Sequence, residues 1–400
     1  MKRATLLLSL LNFSYWLANG MLMPLIPSYA LQLGASTVFV TLILATQTLP
    51  SFLLAIPIGS AVDRFGGKYS VFLGSVLAVL ALGILLLPGT PQLILLSQAF
   101  SGLGLMSIWI GIQSWMIAPS PHDASRLDVK GRIANVSFAG IAGQLIGPLL
   151  GGGIASAFGF RWAFAVVLVS LLGCPFLSRA LSRVFDRDVL RRRTTGGFLP
   201  SVRSSYRNSW TMLRGPGVLL TMSVSFSALF LMAAQNGILP TYFASNGVDV
   251  SVIGAIASVY GVFSLLSRFL VLPLLNRLRQ GTAVLLLIIP GALSVNSVFL
   301  VDGVVGYFLL ASCSGLVLGA AQPLSISLIA DFTAEQSRGL GVGLRMVANR
   351  AAQSLSPMTF GLVISLAGFP AAFVTCALLM CAVGIVVSIR LNRLVQPGAG

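Results

Sequence analysis

Gly59-Ser60-Ala61-Val62-Asp63-Arg64-Phe65-Gly66-Gly67-Lys68 joins two long apolar runs, 38–60 and 71–88. Backbone inside hydrocarbon must satisfy its own polar groups, and about 20 apolar residues in a helix are enough to cross a bilayer. The two runs therefore read as two membrane helices, and the ten residues as the hinge where the chain meets water. Small residues in that hinge let the helices approach closely. Asp63 supplies a fixed negative charge, and Arg64 and Lys68 hold the hinge on the cytoplasmic side.

The same balance extends through the chain. Of its 400 residues, 56% are hydrophobic and 8% charged, against about 25% charged in soluble domains. The net charge of +16 raises the question of nucleic acid, but the placement of the charge excludes it. Counting alternating crossings from a cytoplasmic N-terminus puts 24 of the 25 Lys and Arg on the cytoplasmic half, Arg161 being the exception. That asymmetry places both termini in the cytoplasm of a bacterial-type inner membrane. Cys174, Cys313, Cys376 and Cys381 all lie in apolar runs without metal-ligand spacing, and read as small packing residues. The opening Met1-Lys2-Arg3 could introduce a signal peptide, but the following run reaches residue 28 and carries Asn12, Trp16 and Asn19. It reads as an uncleaved first span.

Cutting the apolar runs at charges and at Gly/Pro/Asn clusters gives twelve spans: 4–28, 38–60, 71–88, 93–117, 133–157, 162–178, 216–240, 252–275, 282–300, 305–329, 340–366 and 371–391. The expected architecture is all-α, with six-span bundles at 1–178 and 216–391, a basic cytoplasmic linker at 179–215 and a tail at 392–400. Within the linker, Leu199, Val202, Tyr206, Trp210 and Leu213 recur at helical spacing between Arg203, Arg207 and Arg214. It is either an amphipathic helix on the membrane surface or an unstructured connection.

The two halves repeat one another. Tyr29 and Tyr242, Arg64 and Arg277, and Ser101-Gly102 and Ser314-Gly315 correspond at an offset of 213. At an offset of 209, Gln144, Pro148, Gly152, Ser156, Gly159, Phe160, Ala163 and Phe164 recur as Gln353, Pro357, Gly361, Ser365, Gly368, Phe369, Ala372 and Phe373. Those eight identities exceed the roughly two that composition alone would give. The hinge pattern G-x-x-x-D-R-x-G-x-K resembles the loop between helices 2 and 3 of the major facilitator superfamily of transporters. A parallel repeat of six helices is the relation between the halves of that family. The resemblance implies twelve transmembrane helices in two pseudo-symmetric bundles. It also implies a conformational latch at Gly59, Asp63, Arg64, Gly66 and Lys68, with Asp63 facing the positive start of span eleven near Gly339. The second-half copy, Asn276-Arg277-Leu278-Arg279, lacks the acid and the glycines, so the latch is expected to be one-sided. The plainer reading is a positive-inside turn.

Span five carries Gly143-Gln144-Leu145-Ile146-Gly147-Pro148-Leu149-Leu150-Gly151-Gly152, which resembles the g-x-x-x-G-P-x-x-G-G motif of the family's drug:proton antiporter branch. Gly143, Gly147, Gly151 and Gly152 permit close helix contact, and Pro148 frees a carbonyl. In the family this element is thought to seal the bundles; ordinary tight packing is the simpler account. Span eleven keeps only Pro357 and Gly361. The branch usually has an arginine, linked to proton transfer, where this chain has Gln98.

All nine acids (Asp63, Asp123, Asp128, Asp186, Asp188, Asp249, Asp302, Asp331 and Glu335) fall in loops or at helix ends, and His122 is in a loop. Proton coupling would then rest on Asp63, Asp128 or Asp331 at the cytoplasmic margin, with uncoupled transport or solute exchange open. The charge expected inside the membrane is positive. Arg350 lies about 16 Å beyond Gly339 at 1.5 Å per residue, and shares a face with Asn349 and Gln353, with Arg345 on the adjoining stripe. It is either a contact for anionic or polar solutes or a structural arginine reaching carbonyls or Asp331. Arg268 reads as a boundary arginine.

Other cavity candidates are Asn12, Tyr15, Trp16 and Asn19 in span one, Trp109 and Gln113 in span four, and Gln144 in span five. Gln235 and Asn236 in span seven, Tyr260 in span eight and Gln322 in span ten complete the set. Each amide is otherwise an interhelical hydrogen bond, and Tyr15 and Trp115 could instead belong to interfacial belts. No acid–base pair, metal set or phosphate loop is present in the sequence, so neither an enzyme nor an ATP-driven pump is expected, and no cofactor. A non-transporting receptor on this fold is the remaining class. The chain is expected to move a small organic solute by alternating access, as a monomer, with protons as a candidate coupling ion. Efflux is the first reading, and uptake or exchange of an anionic metabolite through Arg350 the second.

Overall fold

The computed structural model describes residues 2–87, 89–118, 126–185, 215–332 and 338–395; within the helices a few side chains, Asp63 and Asp128 among them, also lie outside that description. His122, linker residues 186–214, Glu335 and residues 396–400 are outside the described residues.

Spans one to five are single helices: α1 (Lys2–Gln32), α2 (Thr37–Phe65), α3 (Gly67–Leu86), α4 (Pro91–Ile117) and α5 (Arg126–Phe158). Span six is α6 (Phe160–Leu172) and α7 (Cys174–Phe185), divided at Gly173, just before Pro175. Helix therefore continues to Phe185, seven residues beyond the end expected at 178. Arg183 on this last turn sits where a cation balances a helix C-terminus.

In the second half, span seven is α8 (Pro216–Ala233), a π-helical turn (Ala234–Ile238) and α9 (Leu239–Ser245). The cause is Pro240, which has no N–H for the Asn236 carbonyl, so the chain widens and the Leu239 N–H donates to Ala234 instead. Span eight is α10 (Val250–Leu270) with a short α11 (Leu272–Leu275), and span nine is α12 (Gln280–Asn296). Span ten is divided into α13 (Val304–Leu318) and α14 (Ala321–Asp331), because Pro323 cannot donate to Gly319. Spans eleven and twelve form α15 (Arg338–Val395), whose direction breaks at Gly368.

Ten stretches of these helices are long and apolar enough to cross a membrane. One of them, Leu344–Leu394, is 51 residues and broken at Gly368, so it crosses twice. With the 17-residue α12 the total reaches the expected twelve.

The repeat is built into the packing. In the first half Tyr29 packs on Phe160 and Phe164, at ring-centroid distances of 5.3 and 5.2 Å. Their counterparts Tyr242, Phe369 and Phe373 make the same cluster at 5.2 and 5.5 Å. Each cluster follows a glycine with left-handed backbone, Gly159 at φ 90° and Gly368 at φ 78°, a conformation that costs other residues about 1–2 kcal/mol. Close crossings repeat as well. A Cβ on Gly102 would run into the Gln47 carbonyl, and one on Gly315 would come within 2.5 Å of the Tyr260 carbonyl oxygen. Gln47 and Tyr260 are again 213 residues apart. Ser51 adds a bond from its hydroxyl to the Gly102 carbonyl at 2.8 Å.

The described residues form two compact units. One comprises those within Met1–Ala35, Thr46–Ser205 and Val248–Ser258; the other those within Ser36–Ala45, Tyr206–Gly247 and Val259–Gly400. Each half of the sequence thus lends a short helical segment to the unit built mainly from the other. The offset of 213 carries 36–45 onto 249–258, so the exchange itself obeys the repeat.

Candidate functional site

Span five presents two different stripes inside the first unit. Gly143, Gly147 and Gly151 recur every four residues and so lie on one face. Cβ atoms there would meet the backbone of α1, at the Phe13 carbonyl (2.6 Å), the Leu17 carbonyl (2.7 Å) and Met21 Cα (2.8 Å). The second stripe, Pro148 and Gly152, faces the start of α10. A Cβ on Gly152 would overlap the Val250 carbonyl, and one on Gly254 would overlap the Pro148 carbonyl. Ser258 closes the contact, its hydroxyl donating to the Leu145 carbonyl at 2.8 Å. Glycine at these positions lets two pairs of helices touch backbone to backbone, where dispersion and weak C–H···O contacts replace side-chain packing. In the second unit Gly361, the repeat partner of Gly152, packs against Thr41 of α2, there through the threonine side chain rather than the backbone.

Asp249 ties the end of α5 to the start of α10. Its carboxylate accepts from the Ser251 hydroxyl and backbone N–H, the latter at 2.8 Å, and from the Ser156 hydroxyl at 3.3 Å. The Ser251 hydroxyl bond is the largest cause holding its pKa below the ordinary carboxylate value. A depressed folded pKa contributes stability above the unfolded pKa, about 3.9, and loses it as pH falls through the folded value. Asp249→Asn should accordingly lower the melting temperature at pH 7, with the gap from wild type closing below about pH 4. A gap that is constant with pH would show that Asp249 acts through shape alone.

Among the first-unit candidates, four come together. Tyr15 and Trp16 of α1 and Trp109 of α4 form a triangle of rings with centroids 5.3–5.5 Å apart. Asn12, one turn before Trp16, donates Nδ2 to the Val136 carbonyl of α5 at 2.7 Å, and its buried Oδ1 has no partner among the described residues. Gly140 provides the room, since a Cβ there would lie 2.5 Å from Asn12 Nδ2 and 2.7 Å from Trp16 Cδ1. Asn19 and Gln113 are half-buried and join no such cluster, and Gln144 is exposed. Tyr15 and Trp115, for which an interfacial belt was the alternative, are buried, at 4% and 1% exposure. Trp115 lies over Gly67, where a Cβ would come 2.5 Å from its indole nitrogen.

The second unit corrects the expectation for the membrane arginine. Arg350 is half-buried and donates Nη1 to Gln353 Oε1 at 3.0 Å on its own helix. Asp331, one expected partner, accepts instead from Gln280 Nε2 at 2.8 Å. The deeply buried cation is Arg345, 6% exposed. Its Nη1 donates to Gln322 Oε1 at 2.7 Å and to Ser325 Oγ at 3.1 Å, both on α14. Asn349, one turn further along α15, is buried with an unpartnered Oδ1. Gln235, on the π-turn, accepts from Ser314 at 3.1 Å, while Asn236 Oδ1 and the Tyr260 hydroxyl have no partner among the described residues. From sequence Arg345 stood only on the stripe beside Arg350 and Ser314 only as part of the repeat, and Ser325 was not named. The available signal was Pro323, whose break in span ten turns Gln322 and Ser325 toward α15.

Three further polar groups, Gln98 and Arg132 buried and Arg161 exposed, bear on the sequence reading. Gln98, at the place of the family's arginine, is buried with neither amide atom paired among the described residues. Arg132 closes the end of α4, donating Nε to the Met116 carbonyl at 3.3 Å and Nη2 to that of Ala118, over the ring of Phe185. Arg161, the exception to the charge rule, donates to the carbonyl of Leu86, the last residue of α3, at 3.3 and 3.2 Å. Both arginines sit at helix C-termini, where a cation is favoured. Arg268 is exposed near the end of α10. Cys174 and Cys376 are packed inside as expected, whereas Cys313 is exposed.

In the hinge, Gly66 adopts φ 85° and turns α2 into α3. Arg64 and Lys68 lie over the rings of Phe65 and Tyr69, both at 5.7 Å. Nothing approaches a Cβ placed on Gly59. Two cavities occur in the second unit: one of about 310 Å³ lined by Asn276, Gln280, Ser327 and Asp331, and an apolar one of about 460 Å³ lined by Met222, Phe226, Ala348 and Met380. Neither contains a residue proposed above for substrate.

The Major Facilitator Superfamily model matches this chain over residues 8–311 and again over 221–398. The chain belongs to that superfamily. It is thus a multi-pass membrane transporter of small molecules rather than an enzyme. Its relatives include proteins named multidrug resistance protein MdtG. The one from Serratia proteamaculans is 26% identical over 391 residues, 91% of this chain and 87% of its own length. The one from Citrobacter koseri is 28% identical over 339 residues, 77% and 76% of the two chains. That from Yersinia enterocolitica is 28% identical over 265 residues, and the match spans 62% of this chain and 59% of the relative. Among solved structures, the nucleoside transporter NupG superposes with a TM-score of 0.74 at 13% identity, covering 98% of this chain and all of that one. A peptide transporter, POT, also reaches 0.74, at 15% identity over 98% and 95% of the chains. At such identity these two structures share the fold with this chain.

Proposed function

We propose that this transporter exports small amphipathic organic compounds across a bacterial-type inner membrane, with both termini cytoplasmic, in exchange for protons. The observation that carries the reading is the two-faced seating of 143–152, on α1 through one stripe and on α10 through the other. A helix gripped on both sides by backbone contacts can act as a seal that side-chain changes do not loosen. The names of the curated relatives support efflux, and the charge distribution supports the orientation. Alternating access would rest on the exchanged segments, 36–45 and 248–258, as the parts that part and rejoin. Asp63, Asp128 and Asp331 are the acids assigned to proton exchange, since each lies in the first or last turn of a helix. The aromatic triangle and the polar groups of α14 and α15 are assigned to substrate. Uptake or exchange through Arg350 is weaker, because that side chain is bonded along its own helix.

Inside-out vesicles with an acid interior test this. Adding lipophilic cations, neutral amphiphiles and amphipathic organic anions in turn should raise the internal pH for at least one class, and not in vesicles lacking the protein. Labelled solute accumulating with no pH response would replace antiport by uncoupled efflux. Solute leaving the vesicles would reverse the direction.

A further inference from the structure

Arg345 poses an electrostatic problem that the described residues do not solve. A guanidinium stays charged at any biological pH, so burial cannot be relieved by losing a proton. Moving a charge out of water costs several kcal/mol unless an opposite charge or a full set of acceptors replaces the solvent. Arg345 has two neutral acceptors, Gln322 Oε1 and Ser325 Oγ, and both take the same nitrogen, Nη1. Its buried Nε has no partner, and no bond reaches Nη2 among the described residues. The unused edge is therefore Nε together with Nη2, the planar pair of donors that fits a carboxylate through two parallel bonds. One further feature raises the local positive potential. Gln322 lies in the first turn of α14, whose N-terminus follows the break in span ten, and half-helix N-termini inside membranes favour anionic groups. Asn349, on the same face one turn on, contributes no charge.

We infer that Arg345 is the binding site for a carboxylate, and that the solutes carried are amphiphiles bearing that group. The inference rests on the transport reading above and deepens it. Arg345 supplies the bidentate edge, Gln322 and Ser325 fix the guanidinium plane through Nη1, and the bound carboxylate supplies the missing negative charge.

The test is equilibrium binding of benzoate to the full-length protein in lipid nanodiscs, read as a rise in melting temperature, with chloride and gluconate at equal ionic strength as comparisons. Benzoate should stabilise the wild type in a saturable manner, above both comparisons. Arg345→Lys keeps the charge but loses the fork, and should weaken apparent affinity by about tenfold or more. Arg345→Gln should abolish the response. Asn349→Asp places a fixed carboxylate within reach, and should stabilise the unliganded protein while suppressing the benzoate effect, which keeps the test decisive if Arg345→Gln folds poorly. An equal response to chloride would overturn the assignment to carboxylates, and a benzoate response surviving in Asn349→Asp and Arg345→Gln would overturn the site. Protein that passes the vesicle assay but ignores benzoate refutes only this inference. Benzoate binding by protein that fails the vesicle assay refutes only the efflux reading.

Discussion

Gly102→Ala should remove most of the folded protein, although it adds one methyl group to a membrane helix. The new Cβ would overlap the Gln47 carbonyl, which is fixed in the backbone of α2 and cannot rotate aside. Relief requires α2 and α4 to separate, breaking the bond from Ser51 to the Gly102 carbonyl. Overpacking of this kind costs about 1–3 kcal/mol, and a multi-pass protein has only a modest total stability to lose. The control is Gly83→Ala in α3, where nothing lies within 4 Å of the new atom; there the better helix propensity of alanine should leave yield unchanged or higher. Size-exclusion profiles of a fluorescent fusion would separate the two. An intact, monodisperse peak for Gly102→Ala would mean that the α2–α4 crossing is looser than its geometry.

Gly152→Ala should have the second largest effect, on transport rather than on yield. Its Cβ would meet the Val250 carbonyl at the first turn of α10. That turn has room to shift at its exposed end, so the protein should still fold, but α5 and α10 could no longer close together. If the contact seals one side of the transport cycle, solute flux should fall by about tenfold or more, equivalent to 1.4 kcal/mol or more in a rate-limiting step. Gly361→Ala in the repeat-related contact with Thr41 should resemble it, while Gly153→Ala, with no neighbour within 4 Å, should not. Unaltered flux in Gly152→Ala would reduce the motif of span five to ordinary packing.

These contrasts show where sequence reading stops. Gly102 and Gly315 were visible as a repeated Ser-Gly pair, yet nothing in the pair says that one faces Gln47 and the other Tyr260. The motif of span five was legible as a run of small residues. Its division into an α1 stripe and an α10 stripe needed the identity of both neighbours. Arg350 was favoured over Arg345 because distance along a helix was taken as depth. Burial instead follows from which helix stands opposite, and the break at Pro323 sets Gln322 and Ser325 beside Arg345. The π-turn at Gln235 had a readable cause in Pro240 that the span count passed over. Gln144 was a cavity candidate by residue type alone; its side chain is exposed, although Pro148, one turn on, is buried against α10.

The sequence by itself determined the twelve crossings, the repeat that relates the halves, and the concentration of positive charge in alternate loops. These follow from rules that act locally: the length of hydrocarbon to be crossed, the need to satisfy every backbone group, and the cost of a glycine-like turn for any other residue. Only the tertiary structure decided the exchange of 36–45 and 248–258 between the units, the buried position of Arg345, and the backbone contacts that require glycine. Those depend on pairs of residues far apart in the chain. In lipid, where apolar surface gains little by leaving its solvent, shape and hydrogen bonding between such pairs choose the packing.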